Sequence, residues 1–445
     1  MNQMNQHYTY GKLLRCTFPS MVMMVFTSIY GVVDGLFLSN FAGKTAFAAV
    51  NFILPFLMVL GGIGFMFGSG GSALVAKTLG EGREDKANQI FSCLMGTSLL
   101  TGALLAAAGY LLLRPVAVWL GAEGQLLEDS LIYGRIYLLG VPISVIQNEF
   151  ENLYVTAGKP KLGLFSTVAA GLTNIILDAV FVGAFSWGLR GAAAATVLSQ
   201  CIGGLFPLIY FSRKNSSLLR ITPSRFDGKS MLKICTNGSS ELLNNISMSI
   251  VSMVYNAQLL KYAGNDGLSS YGVLMYVNFL FISIFIGYTV GVSPIVSFHY
   301  GADNKKEIRS LLKKSYVLIG IASVLMFAIS ELMANPVARL FVGYDQGLLE
   351  MTLRGFFLYS FCFLFAGFAI FGSSFFTALN NGLISAVISF LRTVVFEISF
   401  VLIFPLFWEL DGIWLSVVAA ELLAALIGVF FVIPKRKTYL LPAEQ

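Results

Sequence analysis

The sequence predicts an all-α integral membrane protein with twelve transmembrane helices, arranged as two pseudo-symmetric six-helix bundles around a central cavity. Three observations carry this. Of the 445 residues, 56% are hydrophobic and 12% charged, and the mean hydropathy of +0.77 lies outside the range of soluble domains. The apolar residues fall in continuous runs of about 20 or more, the length a spanning helix needs, whereas a β-barrel would show shorter alternating segments. The two halves also align without gaps at an offset of 221 residues.

Taken in order, the first span is expected over 13–39. It follows the polar stretch MNQMNQHYTYGK, which is unlike a cleavable signal because the apolar run behind it is too long for a signal h-region. Spans over 45–76 and 91–113 flank the charged turn GEGREDK, and a fourth covers 131–156. The fifth and sixth, over 163–187 and 190–212, contain TNIILDAVFVGAFSWGLRGAAAAT. The second half repeats the pattern over 233–260, 268–298, 315–335, 352–378, 383–408 and 412–434. Between the halves, SRKNSSLLRITPSRFDGK is basic and polar, so the expected division is an N-terminal lobe 1–213, a linker 214–232 and a C-terminal lobe 233–445. Pro19, Pro55, Pro142, Pro207, Pro294 and Pro405 fall inside spans, where each removes a backbone bond and permits a kink.

Charge sets the expected orientation. Lys77, Arg83, Lys86, Lys159, Lys161, Arg213, Lys214, Lys305, Lys306 and Lys435–Lys437 crowd one set of loops; the other set holds only Lys44, Arg114, Arg190, Lys261 and Arg339. The positive-inside rule then places both termini in the cytoplasm and the chain, multi-pass, in the cell membrane. The net charge of +6 reflects this topology and lends no support to a nucleic-acid partner. The five cysteines lack CxxC spacing and read as free thiols. His299 has no partner spaced for a metal, and GIGFMFGSGG lacks the Lys and Ser/Thr of a phosphate loop, so neither an enzyme nor an ATP-driven pump is expected.

The repeat pairs Ser72 with Ser293, Gly80 with Gly301, Thr156 with Thr377, and Gln200 with Glu421. An even number of spans per half gives both halves one orientation about an axis along the membrane normal. Two intramembrane acids are not duplicated: Asp34 aligns with Tyr255, and Asp178 with Ser399. Charge at membrane depth is costly and marks function by default. With a helical rise of 1.5 Å, Asp34, Asp178 and Thr196 lie about 8, 13 and 9 Å below the outer surface. Asn174, four residues before Asp178, projects from the same helix face. Asp34, Asn174, Asp178 and Thr196 therefore form one candidate cation site in the N-terminal lobe, for a proton shared between carboxyls or for a sodium ion held by four oxygen-bearing side chains. Each acid as a purely structural hydrogen-bond acceptor is the plainer alternative.

These residues carry a resemblance over nearly the whole chain. VDGLFLSNFAGKTAFAAVNFILP, GSALVAKTLGEGREDKANQ, TNIILDAVFVGAFSWGLRGAAAATVLSQ, SPIVSFHYGADNKKE and DGIWLSVVAAELLAAL resemble the multidrug and toxic compound extrusion (MATE) family. The resemblance implies an antiporter of two six-helix bundles that alternates between outward-open and inward-open forms and expels amphipathic, often cationic compounds; the expected coupling ion is a proton or sodium, and a monomer without a cofactor is expected. It places the cation site on Asp34, Asn174, Asp178 and Thr196. One departure is Val155 in VTAGKP, where family members often carry arginine; Glu149 and Glu151 lie just upstream.

For the substrate cavity, the candidates are Glu241, Met24, Tyr255 and Met275, the methionines as adaptable walls. Glu241, Glu397 and Glu421 are candidates for an additional acidic site. Arg392 reads as a donor to carbonyls between helices, and its 140° separation from Glu397 on a regular helix assigns the two to different neighbours. Glu421 reads as a packing or hydrogen-bonding position. A flippase for lipid-linked oligosaccharides is the rival function; it calls for a more cationic cavity, and Arg392 is the one clear mid-span base.

Overall fold

The structure, a computed structural model, describes residues 4–38, 41 and 44–439, with backbone alone at 32, 36, 44 and 434–439. The Lys44, Lys435, Arg436 and Lys437 side chains used for orientation lie outside the described set. Among the described residues, eleven helical stretches are long and apolar enough to cross a membrane.

The first bundle comprises α1 (Tyr10–Phe37), α2 (Lys44–Gly80), α3 (Glu84–Trp119), α4 (Gly124–Thr156), α5 (Pro160–Asp178) and α6 (Gly188–Ser212). The second comprises α7 (Gly228–Gly301), α8 (Lys305–Val342), α9 (Gln346–Tyr359), α10 (Phe363–Ala378), α11 (Gly382–Phe390), α12 (Ile398–Ile403) and α13 (Pro405–Tyr439). The 74-residue α7 is broken at Gly264, whose φ of 60° and ψ of −148° suit only glycine, so this stretch makes two crossings. The pairs α9–α10 and α11–α12 each run on as one crossing, through a tight turn at Ser360–Cys362 and a widened π turn at Leu391–Glu397. Twelve crossings result, as the apolar runs predict.

Short polar side chains set the helix starts. Thr9, Asp227, Asn304, Asp345 and Asn381 each accept a backbone N–H of the turn they open. Because Asp227 caps α7, that helix begins at Gly228, and the segment outside helices is 213–227 rather than the expected 214–232. The repeat is visible in the backbone: Gly82 and Asp303 both hold positive φ (77° and 50°), as do Gly188 and Glu409 (52° and 47°), each pair 221 residues apart.

Each bundle has its own packed interior. In the first, the rings of Phe91, Phe150 and Phe211 meet at 5.3–6.0 Å. In the second, Tyr255, Phe281, Phe363 and Trp414 are buried together. With twelve crossings, the start of α1, the end of α13 and the lysine-rich turns lie on one side of the molecule, here the basic face.

The bundles meet near that face through glycine. A Cβ on Gly70 would stand 2.1 Å from the Ile234 carbonyl oxygen, and one on Gly238, Gly80 or Gly301 would stand 1.9 Å from the carbonyls of Met66, Phe298 and Lys77. Gly287 and Gly291 take the backbone of Met21 and Thr17 in the same way. Small residues let membrane helices approach until their backbones touch.

Farther from the basic face the same helix faces part. Along one stripe of α7, Ile234 and Gly238 are buried, Glu241 and Asn245 half-buried, and Met248, Ser252 and Asn256 exposed. The opposing stripe of α2 runs from buried Ala73 and Gly70, through half-buried Val59 and Pro55, to exposed Asn51 and Ala48. The bundles therefore form a cleft that is closed at the basic face and open at the far face.

A further tie closes the basic face. The Tyr8 N–H donates to Glu307 Oε1 at 2.9 Å, His7 Nδ1 meets Glu307 Oε2 at 2.7 Å, and the Lys314 ammonium donates to the Tyr8 carbonyl. The segment preceding α1 is thus pinned to α8 of the other bundle.

Candidate functional site

Glycine also builds the interior of the N-terminal bundle. At Gly171 of α5, a Cβ would fall 2.5 Å from Phe26 and 2.9 Å from Tyr30 of α1, so the two helices touch there. They continue side by side toward the far face. One turn on from Tyr30 is Asp34; two turns on from Gly171 is Asp178, with Asn174 between. The carboxyls of Asp34 and Asp178 consequently face each other within range to share a proton. Directly after Asp178, α5 widens into a π turn at Ala179–Ala184, the kind of irregularity that recurs at functional sites.

Burial leaves these acids without ordinary partners. Asp178 and Asn174 are almost wholly buried (0% and 2% exposed), and Asp34 is half-buried. Neither oxygen of Asp178, nor Oδ1 of Asp34, accepts a protein hydrogen bond. None of the ion pairs among the described residues involves either carboxyl. An ionised carboxylate at mid-membrane costs about 3 kcal/mol on insertion scales. Two unit charges about 4 Å apart repel by about 4 kcal/mol more at an effective dielectric of about 20. A proton on one carboxyl, or a cation between the two, removes most of that cost.

Thr196 reaches the cluster from α6. Its hydroxyl donates to the Ala192 carbonyl at 3.0 Å, so its oxygen can still act as an acceptor. It lies beside the buried phenol of Tyr133, which is within electrostatic reach of both aspartates. One turn along, Tyr137 lies beside Gln200 and stacks on Tyr133, with centroids 6.0 Å apart. Gly140 permits this by admitting Val197 and Gln200 of α6 against α4. The structure thus gathers Asp34, Asp178 and Thr196, sets Asn174 one turn below, and adds Tyr133, Tyr137 and Gln200, which sequence reasoning missed. Their signal was the four-residue spacing of two tyrosines in YGRIY at similar depth. The donor set is hard oxygen, suited to a proton or sodium ion and not to a transition metal.

The other candidates divide. Met24 lies on the α1 face that carries Thr17 and Met21, one turn beyond their contacts with α7, at the floor of the cleft. Glu241 sits at the same level on α7, with Asn244 and Arg392 near it. Tyr255 does not line the cleft: it is 1% exposed, shares a 2.8 Å hydrogen bond with Ser416 and stacks on Tyr271 inside the C-terminal bundle. Met275 likewise packs on that bundle's core, because its face of α7 turns toward α9 and α13.

Arg392 is also placed differently from expectation. It grips the Glu421 carboxylate with two nitrogens, Nη2 at 2.6 Å and Nε at 3.0 Å, and does not serve carbonyls. Glu421 is accordingly an ion-pair partner. Glu397 lies near both, because the π turn brings residues five apart onto one side of the helix, where a regular helix would hold them about 140° apart. Of the two acids on α4, Glu149 is fully buried toward Ser98 of α3, while Glu151 lies toward Tyr30 of α1.

Two duplicated bundles, twelve crossings and a cleft closed at one face are the architecture of a multi-pass membrane transporter. The chain belongs to the MatE family, whose model matches it once in each half, over residues 19–180 and 242–403. It is 25% identical over 428 residues to the multidrug export protein MepA of Staphylococcus haemolyticus, covering 94% of this chain and 92% of that protein. Among solved structures, it superposes on a MATE transporter in complex with MaL6 with a TM-score of 0.91 at 22% identity, covering 96% of each chain. It also superposes on the outward-facing conformation of a multidrug resistance MATE family transporter of the MOP superfamily, with a TM-score of 0.90 at 22% identity over 98% of each chain.

Proposed function

We propose that this protein is a cation-coupled antiporter that exports amphipathic, cationic compounds by alternating access. The observation that carries the reading is the facing pair Asp34–Asp178, with Asp178 fully buried and neither carboxyl in an ion pair among the described residues, beside Asn174, Tyr133 and Thr196. A proton or sodium ion entering there removes an electrostatic penalty, and so can bias the bending of α1, which carries both Pro19 and Asp34. With the basic face cytoplasmic, as the charge distribution supports, the cleft described above is the outward-open form. Substrate leaves from it, and the cation binds.

Glu241 at the cleft floor supplies a negative charge for a cationic substrate. The similar staphylococcal protein is a multidrug export protein, which supports export of drugs by this chain. One chain holds both bundles and the whole cluster, so a monomer suffices. Arg392, the base that a flippase for anionic lipid-linked sugars would use, is already committed to Glu421, which weighs against that rival.

The test is uptake of a fluorescent cationic dye into everted vesicles under imposed proton or sodium gradients. Asp34→Asn and Asp178→Asn should each reduce gradient-driven uptake to background while leaving the protein folded. Uptake equal to the intact protein in both variants contradicts the mechanism.

A further inference from the structure

The segment 213–227 between the bundles is a fixed strap. The Arg220 and Thr222 amides donate to Asn88 Oδ1 and Ser92 Oγ at 2.8 Å, and the Asp227 amide to Cys93 Sγ at 3.4 Å, all on α3. Asp227 then caps α7 through Ser230 and pairs with Lys86 of α3 at 2.9 Å. Between strap, α3 and the first turn of α7 lies a recess of about 860 Å³, a size that accommodates a small organic ligand.

Its lining is chemically divided. Lys86 and Asp227 cancel, but Arg225 and Lys229 form no ion pair among the described residues. Beside these two bases, Phe226 and Leu232 are 74% and 67% exposed. Two uncompensated cations next to exposed apolar side chains, at the level where spanning helices emerge, match a molecule with an anionic head and a greasy body. We propose that this recess binds the headgroup of an anionic phospholipid, with Phe226 and Leu232 against its glycerol and upper acyl region. Because α3 and α7 belong to different bundles, a lipid held there ties the two together on the closed side of the cleft. The inference rests on the proposed cytoplasmic orientation of the basic face only for which leaflet supplies the lipid.

The test uses the purified full chain in detergent, titrated with phosphatidylglycerol, phosphatidylcholine or inorganic phosphate, with binding read by native mass spectrometry and by thermal shift. Binding of phosphatidylglycerol should be saturable and should weaken roughly 10- to 30-fold in Arg225→Gln/Lys229→Gln, from the loss of two surface bases. It should weaken also in Phe226→Ala, and stay unchanged in the control Lys306→Gln/Arg309→Gln. Equal weakening in the control, or no change in the strap variants, overturns the site. Displacement of lipid by millimolar phosphate reassigns the recess to a free anion and overturns the lipid reading. Unchanged melting of the variants in phosphatidylcholine verifies that they fold. The readout does not involve transport, so it stands or falls separately from the antiport mechanism; thiol-reagent accessibility of Arg225→Cys in intact cells reports the orientation.

Discussion

Where the N-terminal bundle carries Asp34 and Asp178, the C-terminal bundle carries Tyr255 and Ser399; where the first has Gly171 and Gln200, the second has Arg392 and Glu421. One duplicated backbone thus handles charge in two ways. In the C-terminal bundle the arginine stands at the position equivalent to Gly171, the residue that lets α1 press on α5, and its guanidinium is matched by a carboxylate on the next crossing, α13. Tyr255, at the Asp34 position, closes a neutral bond to Ser416. In the N-terminal bundle the glycine admits α1, two acids face each other, and no base arrives. The comparison teaches that an acid inside this fold can be satisfied by a fixed base, whereas Asp34 and Asp178 have none among the described residues; on the proposed mechanism a mobile ion takes that place.

The largest contrast expected is in stability. Glu421→Gln strands the Arg392 guanidinium and should cost about 3–5 kcal/mol, the usual penalty for breaking a buried pair from one side. Replacing both partners by apolar residues should restore most of that loss. Asp178→Asn removes a charge that had no partner and should leave thermal stability equal or higher. If Asp178→Asn is as damaging as Glu421→Gln in the same melting series, the N-terminal acids are structural and the comparison breaks.

Smaller is the effect of disturbing the surface that both bundles share. Gly238→Leu places side-chain atoms on the Met66 carbonyl and should cost the closed form about 1–3 kcal/mol, as overpacking does. Paired labels on the basic-face ends of α2 and α7 should then show a larger share of separated distances. An unchanged distance distribution means that the glycine contacts do not hold the closed face.

Smallest is the response of the strap to pH. The Lys86 ammonium, with the Ser230 hydroxyl and amide, holds the Asp227 carboxyl well below the usual carboxylate range. A depressed carboxyl contributes stability that is present above its unfolded value near 3.8 and lost as pH falls through the folded value. The Lys86–Asp227 tie is therefore constant between about pH 5 and 8, and Asp227→Asn should not alter the shape of the pH–transport profile in that window. A profile that moves with Asp227→Asn would bring the strap into the coupling.

Much of this contrast was legible in the amino-acid sequence, for physical reasons that also mark its limits. Long apolar runs have no other reading, so the crossings were recoverable, and rare charges announce themselves against that background; this is why Asp34 and Asp178 stood out. Tyr133 and Tyr137 did not, because 18 tyrosines and 39 phenylalanines make any one aromatic residue uninformative. The Arg392–Glu421 pair joins residues 29 apart on different helices, and no local spacing reports it. The angle between Arg392 and Glu397 misled because it assumed regular α geometry through a segment that widens into a π turn. Tyr255, a cavity candidate from the sequence, is instead bonded to Ser416 on another helix of the same bundle, a pairing 161 residues apart that no local spacing reports.

The central claim, that the facing acids Asp34 and Asp178 of one bundle carry the coupling ion while the acids clustered around Arg392 in the other do not, is tested most directly by ion binding to purified protein. Proton exchange and labelled sodium binding should be measured on the intact chain, Asp34→Asn, Asp178→Asn and Glu397→Gln. The account predicts one saturable cation-binding event per chain, absent from both aspartate variants and retained in Glu397→Gln. Binding that persists in both aspartate variants and disappears in Glu397→Gln would contradict it.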